Sequence, residues 1–460
     1  MSTEIRPEKS VRLGARERLE TFAQRAGNFV PDATATAVIM LFVLLGLATW
    51  RGDSLLVSVD AWYRGLWMLL PFSMQMTLVL LLSGVISTSD GFRRFTQAMA
   101  GRPRTRLQVI SVAIAVTSAV SYLYWGLALA LSPLIAVYFC DAAERKGIPV
   151  DFPLLLATVF AAGSVWQFGL SSSAALLMAT SGHFLEDVTG VLPLGTTIGS
   201  LPAILVILVF PTMLAFLAHA LMPRVVRPIS HFPAAAALAS CPPPPLDATA
   251  SQAGFSAWTE RTRIFPLMLC IALGAWLVHH FVHKDANLDI NSMIVMLAIV
   301  ALLLQRNFAN LSRAMSDAVV PCWRVILLYQ LYAGVAGVLQ FTSVGTWFAE
   351  SFAAIATPMT FPLLTALGAS LIAIFVPSSG GQWIIQGFVT VTAGAQLGAT
   401  PQQALLAIGV GDQMGNLLAP FWLVVVAGIA RIDFREIFGH CLVYAALWFC
   451  VGVTIFTFMR

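Results

Sequence analysis

The sequence predicts an all-α polytopic membrane protein, an inverted-topology repeat of about nine transmembrane helices plus two re-entrant helical hairpins. Three observations carry this expectation. Of the 460 residues, 58% are hydrophobic and 10% charged, where a soluble globular protein carries about 25% charged residues. Apolar stretches of the length that crosses a bilayer, about 20 residues, recur along the chain, and mean hydropathy is +0.83. Finally, Pro377-Ser378-Ser379-Gly380-Gly381-Gln382-Trp383 interrupts an otherwise apolar run from Phe361 to Val391. Proline removes a backbone donor and disfavours helix in the residue before it, and the glycine pair frees the backbone. Irregular backbone at membrane depth is tolerated only where it is buried in protein or lines a cavity, and in transporters such breaks mark the binding site.

The first 28 residues mix Arg6, Lys9, Arg12, Arg16, Arg18 and Arg25 with Glu4, Glu8, Glu17 and Glu20. Without the apolar core of a signal peptide, segment 1–28 reads as an amphipathic, basic cytoplasmic lead-in. Apolar spans follow at 32–50, 65–88, 107–139, 153–181, 197–222, 264–282, 290–305, 321–342, 360–394, 402–430 and 437–458. The spans 107–139 and 360–394 exceed one crossing and carry central interruptions, so each reads as a hairpin that enters and leaves on one side. With the N-terminus inside, this arrangement places 22 of the 26 basic residues on the inner side and leaves Arg51, Arg64, Lys284 and Arg460 outside, as the positive-inside rule requires. The net charge of +4 therefore reflects topology, and no nucleic-acid partner is expected.

Segment 223–263, with Pro242 to Pro245 and many small residues, reads as a flexible cytoplasmic linker between a first membrane repeat, 29–222, and a second, 264–460. Each repeat has the same order: a crossing, a hairpin, an interrupted crossing and a last crossing. The first-half breaks fall at Tyr122–Gly126 and Trp166–Ser173; the second-half breaks fall at Pro377–Trp383 and Gly409–Asn416, followed by Pro420. The six cysteines include no CxxC pair, so no disulfide framework and no metal site is expected. His279, His280 and His283 cannot all face one ligand at their spacing.

These motifs resemble the short-chain fatty acid transporter family, the bacterial acetoacetate and butyrate permeases. The resemblance covers about residues 28–458 and rests on Phe29-Val-Pro-Asp32, Trp67 to Met76, Trp125-Gly126, Val376 to Trp383 with Gln386-Gly387, and Gly411 through Asn416 to Ala419-Pro-Phe-Trp422. It implies membership of a larger ion-transporter superfamily with paired hairpins, an elevator-like mechanism, a multi-pass position in the bacterial inner membrane and a homodimer. The chain departs from the family pattern at Tyr124, where the family carries Asn, after Trp166, where a Gly-rich run is usual, and at Asp412, which is often Glu.

No Lys or Arg falls near the middle of a span, so an anionic substrate must be held by half-helix N-termini, hydroxyls and amides. Ser378, Ser379, Gly380, Gly381, Gln382 and Trp383 supply these at the second hairpin. Trp125, Gly126, Trp166, Ser171, Ser172 and Ser173 do so in the first half, and Asn416 in the last broken span. This supply suits one carboxylate with a small apolar tail, walled by Trp125, Trp166, Phe168 and Trp383, better than a di- or tricarboxylate. Asp412 is the one acid at mid-span; with Gln413 and Asn416 it is the expected ion-coupling group, carrying a proton or ligating Na⁺, against the blander alternative of a helix cap. Asp32 reads as a helix-end charge. No Walker motif occurs, so coupling by H⁺ or Na⁺ symport is expected, with no other cofactor. The alternative retained is a carrier of the same fold for another small organic anion or an amino-acid-like solute. An intramembrane enzyme lacks a nucleophile–base pair, and a passive channel is the remaining contender.

Overall fold

The computed structural model describes residues 33–87, 89–240, 254–284, 288–319, 322–376 and 378–459. The amphipathic lead-in 1–28, Asp32, Pro242 to Pro245, Pro377 and Arg460 lie outside the described residues. Among the described residues every regular element is helical. The first half comprises α1 (Ala33–Trp50), α2 (Leu55–Met68), α3 (Leu70–Ser87), α4 (Asp90–Ala100), α5 (Arg106–Leu123), α6 (Trp125–Arg145), α7 (Phe152–Ala162), a 3₁₀ turn (Gly163–Phe168), α8 (Ser173–Met178) and α9 (Leu201–Ala220). The middle stretch carries α10 (Pro233–Ser240) and α11 (Phe255–Arg261). The second half comprises α12 (Ile264–Val278), α13 (Ile290–Gln305), α14 (Phe308–Ala318), α15 (Cys322–Phe341), α16 (Ser343–Ile355), α17 (Phe361–Phe375), α18 (Ser379–Gln396), α19 (Pro401–Leu418), α20 (Pro420–Ile429) and α21 (Arg435–Phe458). Six helical stretches among the described residues are long and apolar enough to cross a membrane, or nine if each of three bent pairs is one span.

Local chemistry sets the helix ends. Asp151 caps α7 by accepting from the Leu154 amide at 3.1 Å. Thr400 and Gln403 form a reciprocal capping box at α19, with Pro401 in its first turn; Asp289 and Ser292 do the same for α13. Such caps satisfy the orphan donors of a helix start and are worth about 1 kcal/mol each.

Both expected hairpins form. Helices α5 and α6 pack together around Tyr124, which is extended at φ −160° and ψ 119°. Helices α17 and α18 pack together around the break that ends at Ser378. The order of crossing, hairpin, broken span and final crossing recurs: α3, α5–α6, α7–α8, α9, then α15, α17–α18, α19–α20, α21. One group of helices gathers around α15, which packs against α1, α2, α3 and α16. A second gathers around α7, which packs against α5, α6, α9 and α21, with α19 packed on α21 and α17 on α19. Helix α18 touches members of both groups, α15 and α16 on one side and α17 and α19 on the other.

The structure corrects three readings of the sequence. The span expected at 65–88 begins a helix earlier, so Leu55–Ile86 is a 32-residue apolar stretch, and Arg64 inside it lies 4.2 Å from the Phe341 ring. The spans 290–305 and 321–342 each continue into a second helix after a sharp bend, 120° into α14 and 75° into α16. At the first of these Arg306 adopts a left-handed conformation, φ 69°, and Asn307 caps the new helix. The break expected at Gly409–Asn416 is absent: α19 runs unbroken to Leu418, and the chain turns at Ala419 before Pro420. The glycines of α19 serve close packing instead. A Cβ on Gly411 would collide with the Ala366 carbonyl and stand 2.6 Å from Ala369 Cβ; one on Gly415 would stand 2.8 Å from the Ser370 carbonyl. Gly411→Val is therefore expected to lower stability by about 1–3 kcal/mol or more through overpacking, read as a fall in the Tm of the detergent-purified protein; an unchanged Tm would refute the close α17–α19 seam.

Part of the 223–263 stretch is packed against the helices. Arg227 donates to Asp151 at 3.4 Å and to Glu436 at 2.6 Å, joining the starts of α7 and α21. Partial burial works against the Arg227 charge, but Glu436 and Asp151 outweigh it and raise its pKa further.

Between α8 and α9 the His183 ring is held by neutral-state hydrogen bonds. Nδ1 accepts from the Leu185 amide at 3.2 Å, and Nε2 lies 3.1 Å from the Gly190 carbonyl. Burial lowers its pKa, partly opposed by Gly190 and Glu186. A histidine with a depressed folded pKa stabilises the fold above its unfolded value, about 6.5, and loses that contribution as pH falls through the folded value. The Tm is therefore expected to fall on acidification below about pH 6.5, with a smaller fall in His183→Asn; parallel curves for the two proteins would exclude this loop as the source.

Candidate functional site

The breaks are brought together by specific contacts. At the first hairpin tip, Ser171 Oγ accepts from the Trp125 amide at 2.9 Å, and the Leu170 amide donates to the Tyr122 carbonyl at 2.7 Å. The approach is so close that a Cβ on Gly169 would stand 2.9 Å from Tyr122 Cα. The second hairpin meets the same region from the other half: Gln167 Nε2 donates to Ser379 Oγ at 3.0 Å. Helix α19 joins through Gln413 Nε2, which donates to Ser164 Oγ at 3.0 Å. Asp412 sits where these meet, fully buried, with Asn416 Nδ2 donating to Oδ2 at 3.1 Å and the side chains of Ser379 and Gln167 beside the carboxylate. Trp422 Nε1 donates to Asn416 Oδ1 at 3.2 Å and so ties the start of α20 to the same acid.

A helix begins directly after each interruption: α6 at Trp125, α8 at Ser173, α18 at Ser379 and α20 at Pro420. Each helix start carries a partial positive charge from its unpaired amides. The region thus has a supply of positive potential with no Lys or Arg. It also holds unspent acceptors. Among the described residues, Gln167 Oε1, Asp412 Oδ1, Gln413 Oε1 and Gln382 Oε1 are buried without a hydrogen-bond donor. Orphaned buried acceptors are costly. Hard oxygen donors of this kind fit a small cation such as Na⁺, and the carboxylate also fits a proton.

The residues expected from sequence divide in two. Ser171, Ser379, Asp412, Gln413 and Asn416 converge through the contacts above. Trp125 and Trp166 form a partly buried wall, with ring centroids 6.0 Å apart. Gly126 stands behind the tip, where a Cβ would meet the Tyr124 ring at 2.7 Å. Ser172 precedes α8, its Oγ buried without a partner among the described residues, and Ser173 is the first residue of that helix. Ser378 caps α18, accepting from the Gly381 amide at 3.3 Å, and donates to the Tyr329 hydroxyl at 3.2 Å. A Cβ on Gly380 would stand 3.2 Å from that hydroxyl. Two residues are engaged with the helices around them. Gln382 Nε2 is spent on the Ala369 carbonyl at 2.7 Å, and Trp383 is wholly enclosed in the hydrophobic core. Phe168 likewise stacks on Trp448 at 5.7 Å rather than lining the wall. Tyr124, the departure at the first tip, has its hydroxyl committed to the Val79 carbonyl at 2.7 Å.

Gln167, Ser164 and Tyr329 were not among the expected site residues. Gln167 had a legible signal, a polar amide inside the break beside Trp166. Ser164 and Tyr329 had none, because small hydroxyls and tyrosines in apolar spans most often serve packing.

Comparison with known proteins agrees with this architecture. The model of the family described as "Short chain fatty acid transporter" matches residues 16–458. A protein from Escherichia coli K12, provisionally named a short-chain fatty acid transporter, is 28% identical over 447 residues, which is 95% of this chain and 99% of that protein. A similarly named protein from Haemophilus influenzae is 29% identical over 438 residues, 93% and 96% of the two chains. Among solved structures, the YdaH transporter of Alcanivorax borkumensis, described as having an unusual topology, superposes with a TM-score of 0.60 at 16% identity, covering 93% of this chain and 98% of that one. MtrF of Neisseria gonorrhoeae superposes with a TM-score of 0.56 at 16% identity, covering 96% and 97%. The last two likenesses concern the fold alone. With the family model matched across nearly the whole sequence, this chain belongs to the short-chain fatty acid transporter family.

Proposed function

We propose that the protein is a secondary active carrier, not an enzyme, that moves short-chain monocarboxylates such as butyrate or acetoacetate across the bacterial inner membrane. The N-terminus is cytoplasmic, and substrate moves together with H⁺ or Na⁺. The observation that carries this reading is the meeting of the second hairpin and both broken spans around Asp412, through Gln167, Ser379 and Asn416, with the first hairpin tip held against the first broken span by Ser171. The four helix starts hold one carboxylate, and the Trp125–Trp166 wall faces a short apolar tail. A second carboxylate would find no further positive group near mid-span. The unspent oxygens of Asp412, Gln167 and Gln413 take the coupling cation, or Asp412 takes the proton. The bound ion then offsets the substrate's charge, which makes their binding mutually favourable.

The helices around α7, with α17, α19 and α21, move as an elevator against those around α15, and α18 slides between them. The carrier works as a homodimer built on the α15 group. Uptake of labelled butyrate and acetoacetate into proteoliposomes under imposed Na⁺ or H⁺ gradients tests the reading. Saturable accumulation driven by one gradient supports it. Gradient-independent, non-saturating flux would make the protein a channel, and failure to accumulate either acid under any gradient would exclude this substrate class.

A further inference from the structure

We propose that a basic groove at the base of the first hairpin, remote in sequence from the breaks, binds a phosphate group, either on an anionic phospholipid or free in solution. Arg104, Arg106, Lys146 and His219 line a surface groove of ≈ 560 Å³ together with Thr105, Leu107 and the Gly147–Pro149 turn. The basic side chains come from three places in the chain: the start of α5, the end of α6 and the end of α9. No acid lines the groove. The nearest acids on α6 are engaged elsewhere, Asp141 with Arg145 at 2.9 Å and Glu144 with the Ser230 amide at 3.2 Å.

Two of the cations are held in place by the backbone. Lys146 Nζ donates to the Gly101 and Pro103 carbonyls at 2.5 and 2.8 Å, and Arg106 Nε donates to the Pro149 carbonyl at 2.9 Å. Each keeps further donors to give. The Arg104 side chain has no hydrogen-bond or ion-pair partner among the described residues. Forked guanidinium donors match the oxygens of a phosphate better than one ammonium does. Three permanent cations in one groove exceed what a single carboxylate would neutralise.

The groove's height in the membrane favours a lipid. The apolar stretches Arg106–Leu123 and Leu201–Ala220 both end at it, where headgroups lie, and Leu107 at its rim is 40% exposed. The charge bias places this end on the cytoplasmic side, whose leaflet is anionic, and basic pockets between spans at that level suit phosphate headgroups. A headgroup seated there would bridge α5, α6 and α9 and hold the base of the first hairpin against α9.

Native mass spectrometry of the delipidated full-length protein tests this, with phosphatidylglycerol, phosphatidylcholine and inorganic phosphate added in parallel. Phosphatidylglycerol is expected to bind at least about fivefold more tightly than phosphatidylcholine, and Arg104→Gln/His219→Gln is expected to lose at least about fivefold in that affinity. Arg104→Lys, which keeps the charge but loses the fork, should fall between wild type and the double variant, and Arg145→Gln, outside the groove, should leave the affinity unchanged. Inorganic phosphate that binds as tightly as phosphatidylglycerol and displaces it would support the groove with a free anion as its source. Equal retention of the two lipids with no phosphate binding, or a double variant indistinguishable from wild type, would overturn the proposal.

Discussion

Replacing Asp412 with Asn is expected to abolish gradient-driven accumulation while leaving the protein folded. The substitution keeps the size of the side chain and an oxygen able to accept from Asn416 Nδ2, the bond seen at 3.1 Å. It removes the charge and puts an amide in the place of Oδ1, which has no donor among the described residues. Neither a proton nor a sodium ion can then be held as before. A hydrogen bond or contact to a charged group is worth about 1.5–3 kcal/mol, so affinity for the coupling ion should fall about 10- to 100-fold. Because linkage is reciprocal, the dependence of substrate affinity on that ion should disappear with it. Proteoliposome uptake measures the first effect, and equilibrium substrate binding with and without the ion measures the second. Full accumulation by the variant would leave Asp412 as a helix-internal tie to Asn416 and move the coupling site to neutral oxygens.

The second large effect is expected at Gln167. Its amide spans the interval between the two halves, donating to Ser379 across 212 residues of sequence at 3.0 Å and standing beside Asp412. Gln167→Leu fills nearly the same volume but removes both the donor and the acceptor. Leaving Ser379 without this partner and removing the amide beside Asp412 should cost about 1–3 kcal/mol at the site, a roughly 5- to 150-fold loss in kcat/KM for uptake. Gln167→Glu should instead place a second carboxylate beside Asp412 and shift the pH dependence of uptake relative to wild type. A merely structural role would lower the Tm in Gln167→Leu and leave the uptake of the surviving folded protein unchanged. That result would remove Gln167 from the site.

The comparison of these two residues shows what kind of information each required. Asp412 stands out in the sequence because a carboxylate within an apolar span is too costly to be incidental. Gln167 gives a weaker signal, a polar amide inside the break, because a neutral amide within a span is explained equally well by packing, and its role depends on what lies opposite.

The same division holds for the architecture. The sequence by itself determined the class of protein, most of the apolar spans and the two hairpins. Those are local matters: hydrophobic length, missing amide donors at proline and freed backbone at glycine act over a few turns of chain. The short helices after sharp bends, α14 and α16, escaped because their amphipathic or brief patterns lack the length of a span. Tertiary structure alone decided the rest. Gly409 to Gly415 are as compatible with a broken helix as with a tightly packed one; the close approach of α17 against Gly411 and Gly415 makes α19 continuous. Gln413 finds Ser164 across 249 residues, and Trp383, polar at its indole nitrogen, is enclosed in the core. These outcomes depend on which surfaces meet when the two halves fold together, and the strength of a hydrogen bond or a steric clash is set by that distance, which no local pattern encodes.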